Sequence, residues 1–169
     1  MSICMTPSKY TRERVIYPTY ADPKLDGICC IAYVKDNTVL LKTKNDKILR
    51  NFVNIEKEFL NFPDGIYNGE IVDKNFQNLM KSVHRIHNGI ESAENASLRV
   101  FDYLKTKDDS TTFYDRVLRL RNIFYETDYY YVQHLDGQLI KDETELILYY
   151  DMQLQKGPPF EGIVIKQVL

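Results

Sequence analysis

The chain has 169 residues and a formal net charge of −2, long enough for one domain with a real core. That balance excludes a protein holding nucleic acid by overall charge, and leaves room for a local basic groove. Its three cysteines, Cys4, Cys29 and Cys30, lack C-x-x-C spacing and form an odd set. This argues against a zinc or redox motif and for a reducing compartment. The N-terminal stretch is too polar for a signal peptide, and no apolar run is long enough to span a bilayer. The expectation is a soluble, cytoplasmic protein without membrane partners.

In chain order, residues 1–20 read as an irregular, tyrosine-bearing lead-in. "GICCIAYVKDNTVLLKTKN" reads as a β-hairpin, Gly27–Val34 and Thr38–Thr43, around an Asp-Asn turn. If extended, Cys29 and Cys30 point to opposite faces. Ile48, Phe52, Ile55 and Phe59 recur at helical spacing, predicting a short amphipathic helix ended by "FPDG". "IYNGEIVD" resumes β-structure, with Gly69 marking a close backbone approach or a bulge. Phe76 through Ile86 predicts a second helix with Asn75 as N-cap. After the loop "NGIESAENAS", "LRVFDYL" is a strand and "KTKDDSTT" a charged loop. "FYDRVLRLRNIFYE" is a third helix, with Asp115 and Arg119 at i,i+4 spacing. "YYYVQHL" is a strand and "ETELILYYDMQLQKG" a fourth helix closed by Gly157. "EGIVIKQVL" is the last strand. Without a regular βαβ rhythm, the elements predict an α+β fold of two antiparallel β-sheets flanked by helices.

Several side chains carry potential chemistry. In "DPKLDG", Lys24 is either a solvent lysine at an Asp-Gly turn or a nucleophile. The second role needs a deprotonated amine, hence desolvation or a nearby cation. Asp26, on the same side as Lys24 in an extended chain, can hold the lysine or orient a metal. Glu70 in "NGEIV" and Glu161 in "FEGIV" each stand beside a glycine and an apolar run. They either face solvent at strand ends or line a cleft, where carboxylates suit magnesium or sugar hydroxyls. Phe101 in "RVFDYL" is a core residue or a base-stacking platform. Asp102, charged in a β-rich run, needs a partner. His84, His87 and His134 have no metal-ligand spacing. Tyr129–Tyr131 read as alternating strand burial.

Taken in order, "KLDG", "NGEIV", "VFDYL" and "EGIVIK" resemble nucleotidyltransferase motifs I, III, IIIa and IV of ATP-dependent DNA ligases. "KTKN", Lys42–Asn45, falls where that family has motif Ia. The resemblance covers nearly the whole chain, and its compact spacing is similar to that of small viral and phage ligases, which would place the protein in a host cytoplasm. It implies a nucleotidyltransferase (ATP-grasp-like) adenylation domain over residues 1–169. It also implies ATP as substrate, an AMP adduct, Mg2+ and nicked duplex DNA. Lys24 would attack the α-phosphate of ATP and carry AMP to the 5′-phosphate of a nick. Glu70 would hold the ribose, Phe101 would stack on adenine, and Asp22 would read the adenine amino group. Lys166 would reach a phosphate, Glu161 and Asp26 would serve the metal, and Lys42 and Lys44 would contact DNA.

The sequence also departs from this family. Cys29 stands where the family has arginine after K-x-D-G, and a thiol cannot make a bidentate phosphate contact. Lys44 replaces the motif Ia arginine, keeping the charge and losing the fork. The chain stops before motif V and contains no OB-fold domain, so the adenylation domain reads as incomplete. Slow or absent self-adenylation and weak nick binding are expected from that. Three readings therefore stand: an ATP-dependent DNA ligase domain, a degenerate ligase-like binding domain without catalysis, and an RNA ligase.

Overall fold

The structure is a computed structural model and describes residues 7–74, 76–84, 93–125 and 128–168. After a short 3-10 helix at Arg12–Arg14, the order is β1 (Thr19–Leu25), β2 (Ile28–Lys35), β3 (Thr38–Thr43), α1 (Val53–Phe59), β4 (Gly65–Val72) and α2 (Phe76–His84). It continues with β5 (Ser97–Leu104), α3 (Phe113–Phe124), β6 (Val132–His134), β7 (Gln138–Ile140), α4 (Glu143–Gln155) and β8 (Phe160–Gln167). Two sheets result, one of three strands ordered β7-β1-β8 and one of five ordered β3-β2-β4-β5-β6. The α+β class with two sheets follows the expectation.

The hairpin is as predicted. Asp36 and Asn37 form its two-residue turn at φ 48 and 59, the left-handed region that Asp and Asn tolerate and that matches strand twist. Cys30 is buried in the main core and Cys29 is half-exposed. Gly69 marks both predicted features. The β4–β5 register shifts between Asn68 and Gly69, and a Cβ there would stand 2.6 Å from the Arg99 carbonyl oxygen.

Other expectations are corrected. Residues 19–25, read as the end of a lead-in and a turn, form β1, which pairs with β7 and β8. Its burial shows no alternation, because both of its faces are covered, and that erases the period-two signal. Pro23 fits because β7 pairs only with Thr19, Tyr20 and Ala21, leaving one side of Pro23 without a ladder. The five-stranded sheet is not wholly antiparallel: β6 runs parallel to β5, since α3 carries the chain back as a crossover. The first predicted helix loses its front: Ile48 is 49% exposed and bridges Lys42 as an extended residue. Asp115 and Arg119 do not pair: Asp115 bonds the N-cap Thr112, and Arg119 reaches Asp109 at 2.8 Å. The last tyrosines precede the strand, and their burial alternates as expected, with Tyr129 and Tyr131 packed on the main core. Tyr130 is exposed, Tyr129 packs on Phe62, and the Glu58 carboxylate accepts the backbone N–H groups of Tyr130, Tyr131 and Val132. Asn75, the predicted N-cap, and His87 lie outside the described residues.

The main core lies between the five-stranded sheet and its helices, around Phe52, Ile55, Phe59, Tyr67, Leu98 and Leu120. The three-stranded sheet has its own small core with α4, built on Ala21, Ile140, Leu146 and Tyr149. No helix among the described residues is long and apolar enough to cross a membrane.

Candidate active site

The candidate residues gather where β1 and β8 meet the five-stranded sheet. Lys24 lies opposite Gly162 in the β1–β8 ladder, just before a register shift at Leu25. Its side chain is 46% exposed, and its Nζ donates to Glu161 Oε1. The turn that follows is pinned twice. Asp26 N–H donates to the Pro159 carbonyl at 2.8 Å. At Gly27, a Cβ would lie 2.3 Å from Ile71 O and 2.8 Å from Glu70 Cγ, so only glycine lets the loop settle on β4. The K-x-D-G glycine thus sets the approach of Lys24's strand to Glu70's strand. Asp26 itself is exposed.

Asp22 stands two residues before Lys24 and is 3% exposed. Burial pushes its carboxyl up, and the Lys166 ammonium opposes that shift. Lys166 Nζ lies 2.5 Å from Asp22 Oδ2, with side-chain exposures of 12% and 4%. The same Nζ sits 4.5 Å from the ring centroid of Phe101 and 4.5 Å from that of Phe113. Phe101 packs beside Leu25, Val72, Leu135 and Phe160, so the aromatic motif residue spans the junction between the sheets. Two groups are therefore assembled: Lys24 with Glu161, and Asp22, Lys166 and Phe101 with Phe113.

Glu70 is half-buried and faces Cys29 across β2 and Arg99 across β5. Cys29 and Lys44, the two positions that depart from the family's arginines, each lie one residue beyond the Cys30–Thr43 pair. They close the same end of the hairpin. Lys42 is tied to Asp46 at 2.8 Å and lies 5.8 Å from the Tyr33 ring, which Lys107 approaches to 5.9 Å. Lys42 and Lys44 are thus on the β3 flank, and among the described residues no ion pair or hydrogen bond joins them to the Lys24 pair.

Asp102 has the partner it needs. Arg116 Nε and Nη2 donate to its two oxygens at 2.7 and 3.2 Å, and Tyr103 N–H adds a third bond at 2.9 Å. Phe113 and Arg116, at the start of α3, were missed as site residues. The available signal was the charge of Asp102 inside a β-rich run, which requires a partner, and a helix start that places residues 113 and 116 on one face.

Among the described residues, no three His, Cys, Asp or Glu side chains converge on a metal position. A hard divalent cation beside the Lys24 pair would find Glu161 as one carboxylate donor, with phosphate oxygens and water left to complete its shell. Magnesium commonly binds through one or two carboxylates plus substrate phosphates, so this donor set fits.

No known family profile matches the chain, and no curated protein matches it. Solved structures do. One named "Pmar-Lig_Pre." superposes at TM-score 0.82 with 23% identity, over 92% of this chain and 40% of that one. The Chlorella virus DNA ligase-adenylate superposes at 0.72 with 26% identity, over 96% and 58%. The ATP-dependent DNA ligase of bacteriophage T7 in complex with ATP superposes at 0.56 with 16% identity, over 90% and 58%. The chain has the fold of ATP-dependent DNA ligase adenylation domains, and it spans 40% to 58% of the length of these three structures.

Proposed function

We propose that the chain is the nucleotide-charging part of an ATP-dependent DNA ligase, with Lys24 as the AMP carrier. In this reading Lys24 Nζ attacks the α-phosphorus of ATP and a P–N bond forms. The bond to the α,β-bridging oxygen breaks, and pyrophosphate leaves with its electron pair. The observation that carries this reading is the exposed Lys24 amine at the end of β1, against the Glu161 carboxylate, within a ligase-like fold. An amine must be unprotonated to attack, and free lysine titrates near ~10.4. The Lys24 side chain is 46% exposed, so solvent water is at hand to take that proton once the nucleotide separates Nζ from Glu161.

Around it, Glu70 would hold the ribose hydroxyls, Phe101 would stack on adenine and Asp22 would read the amino group. Glu161, with Asp26, whose N–H donates to the Pro159 carbonyl two residues before Glu161, would hold a magnesium ion. When bound, magnesium supplies charge neutralisation on the phosphates, which lets an anionic triphosphate accept a nucleophile. AMP would then pass to the 5′-phosphate of a nicked duplex, with Lys42 and Lys44 contacting DNA.

Incubation with magnesium and ATP, followed by intact-mass measurement, tests the first step. One AMP adduct is expected, absent in Lys24→Ala. No adduct on the wild-type chain after long incubation sinks autonomous adenylation. That outcome would favour the second reading, a ligase-like binding domain without catalysis, which Cys29 and Lys44 at one end of the hairpin support. Nicked substrates with a DNA or an RNA 3′-hydroxyl strand separate a DNA from an RNA ligase.

A further inference from the structure

The Lys166 ammonium is held more tightly than a phosphate-seeking lysine needs to be. It is paired with a buried carboxylate at 2.5 Å and sandwiched between two aromatic rings, each 4.5 Å away. To reach a phosphate it would leave both rings and strand Asp22, whose side chain is 4% exposed. An abandoned buried charge is among the costlier defects a fold can carry. The three elements involved are also distinct. Lys166 comes from β8, Phe101 from β5 and Phe113 from the first position of α3. The cation therefore joins the small sheet to the large one at the aromatic motif residue.

We propose that Lys166 and Phe113 are positioning residues of the base platform, and that Lys166 makes no phosphate contact. This rests on the nucleotide-binding reading above. Held by Asp22, the ammonium locks Phe101 and Phe113 as one unit. A cation over one face of a ring draws on its π density. The Phe101 ring thereby becomes a better partner for an electron-rich purine on its remaining surface, and it keeps such surface because it is only partly buried. Phe113 supports the arrangement from behind, through its edge contact with Tyr20 at 5.6 Å.

The test separates base from phosphate. The whole chain is titrated with adenosine, ATP and inorganic tripolyphosphate by calorimetry, as wild type, Lys166→Met, Lys166→Arg and Phe113→Leu. Lys166→Met and Phe113→Leu are expected to weaken adenosine and ATP alike, by about tenfold, with tripolyphosphate unchanged. Lys166→Arg, which keeps the cation, should stay close to wild type. If Lys166→Met weakens ATP and tripolyphosphate while adenosine is untouched, Lys166 serves a phosphate and the proposal is overturned. Unchanged affinities in both variants overturn it as well. Should Lys166→Met fail to fold, Phe113→Leu, which leaves the ion pair in place, decides alone. A wild-type chain that binds neither adenosine nor ATP refutes the nucleotide reading itself, an outcome distinct from a failure of the positioning role.

Discussion

Arg116→Met isolates the ion pair that anchors the strand carrying Phe101. Arg116 is 13% exposed in its side chain and Asp102 9%. Methionine keeps most of the aliphatic stem and removes the guanidinium. Asp102 then loses both guanidinium bonds and keeps the Tyr103 N–H, and the Thr111 carbonyl loses its bond from Nη1 at 2.8 Å. Breaking a buried pair by removing one partner costs about 3–5 kcal/mol, and the residual exposure of both side chains puts this case near ~3 kcal/mol. With a urea slope of about 2 kcal/mol/M, the midpoint should fall by roughly 1.5 M. Far-UV circular dichroism and tyrosine fluorescence, usable because the chain has no tryptophan, should give coincident transitions. Asp102→Asn combined with Arg116→Met removes both charges and should recover part of the loss. A single variant within about 0.5 kcal/mol of wild type would refute the reasoning. So would a double variant no more stable than the single.

The remaining predictions concern the loop, the helix cap and the glycine. Burial alone would raise the Asp109 carboxyl. The Thr111 hydroxyl, the backbone N–H groups of Lys105 and Thr111 and the Arg119 guanidinium outweigh it and hold it well below the usual carboxylate range. As pH falls the unfolded chain takes up this proton first, so the stabilisation is complete above about 4 and is lost on acidification toward the folded value. Asp109→Asn should therefore lower stability at neutral pH and flatten its acid limb, and an unchanged limb in urea melts at stepped pH would count against this. Glu58→Ala removes the acceptor for three backbone N–H groups; a loss of about 2 kcal/mol and faster hydrogen exchange at Tyr130–Val132 are expected. Gly27→Ala forces a Cβ to 2.3 Å from Ile71 O; about 1–3 kcal/mol of destabilisation is expected, with any Lys24 adduct reduced beyond that, as stability and mass measurements would show.

Local signals were legible wherever the chain's own neighbours decide the structure. The Asp36-Asn37 turn takes left-handed backbone angles that these residues tolerate, so the hairpin could be read directly. Asp142 and Thr112 cap α4 and α3 through side-chain bonds to residues three ahead, a local signal that the sequence reading passed over. Gly69 announced its bulge. The motif order marked Lys24, Glu70, Phe101 and Glu161 as candidates, and of these the structure brings Lys24 and Glu161 into contact.

What the sequence could not decide was everything that depends on which strand lies next to which. Strand β1 is covered on both faces, so its residues show no alternation and "DPKL" resembles a turn. The parallel edge of β6 depends on the path of α3, and Ile48 keeps helical spacing without being helical. Lys166 reads as a phosphate-seeking cation at the end of a strand; only the approach of β5 and α3 to β8 encloses it between two rings and against Asp22. Sequence determined which residue types are available and in what order. Tertiary structure decided which charges are desolvated together, because burial and pairing belong to the space between elements and not to any one of them.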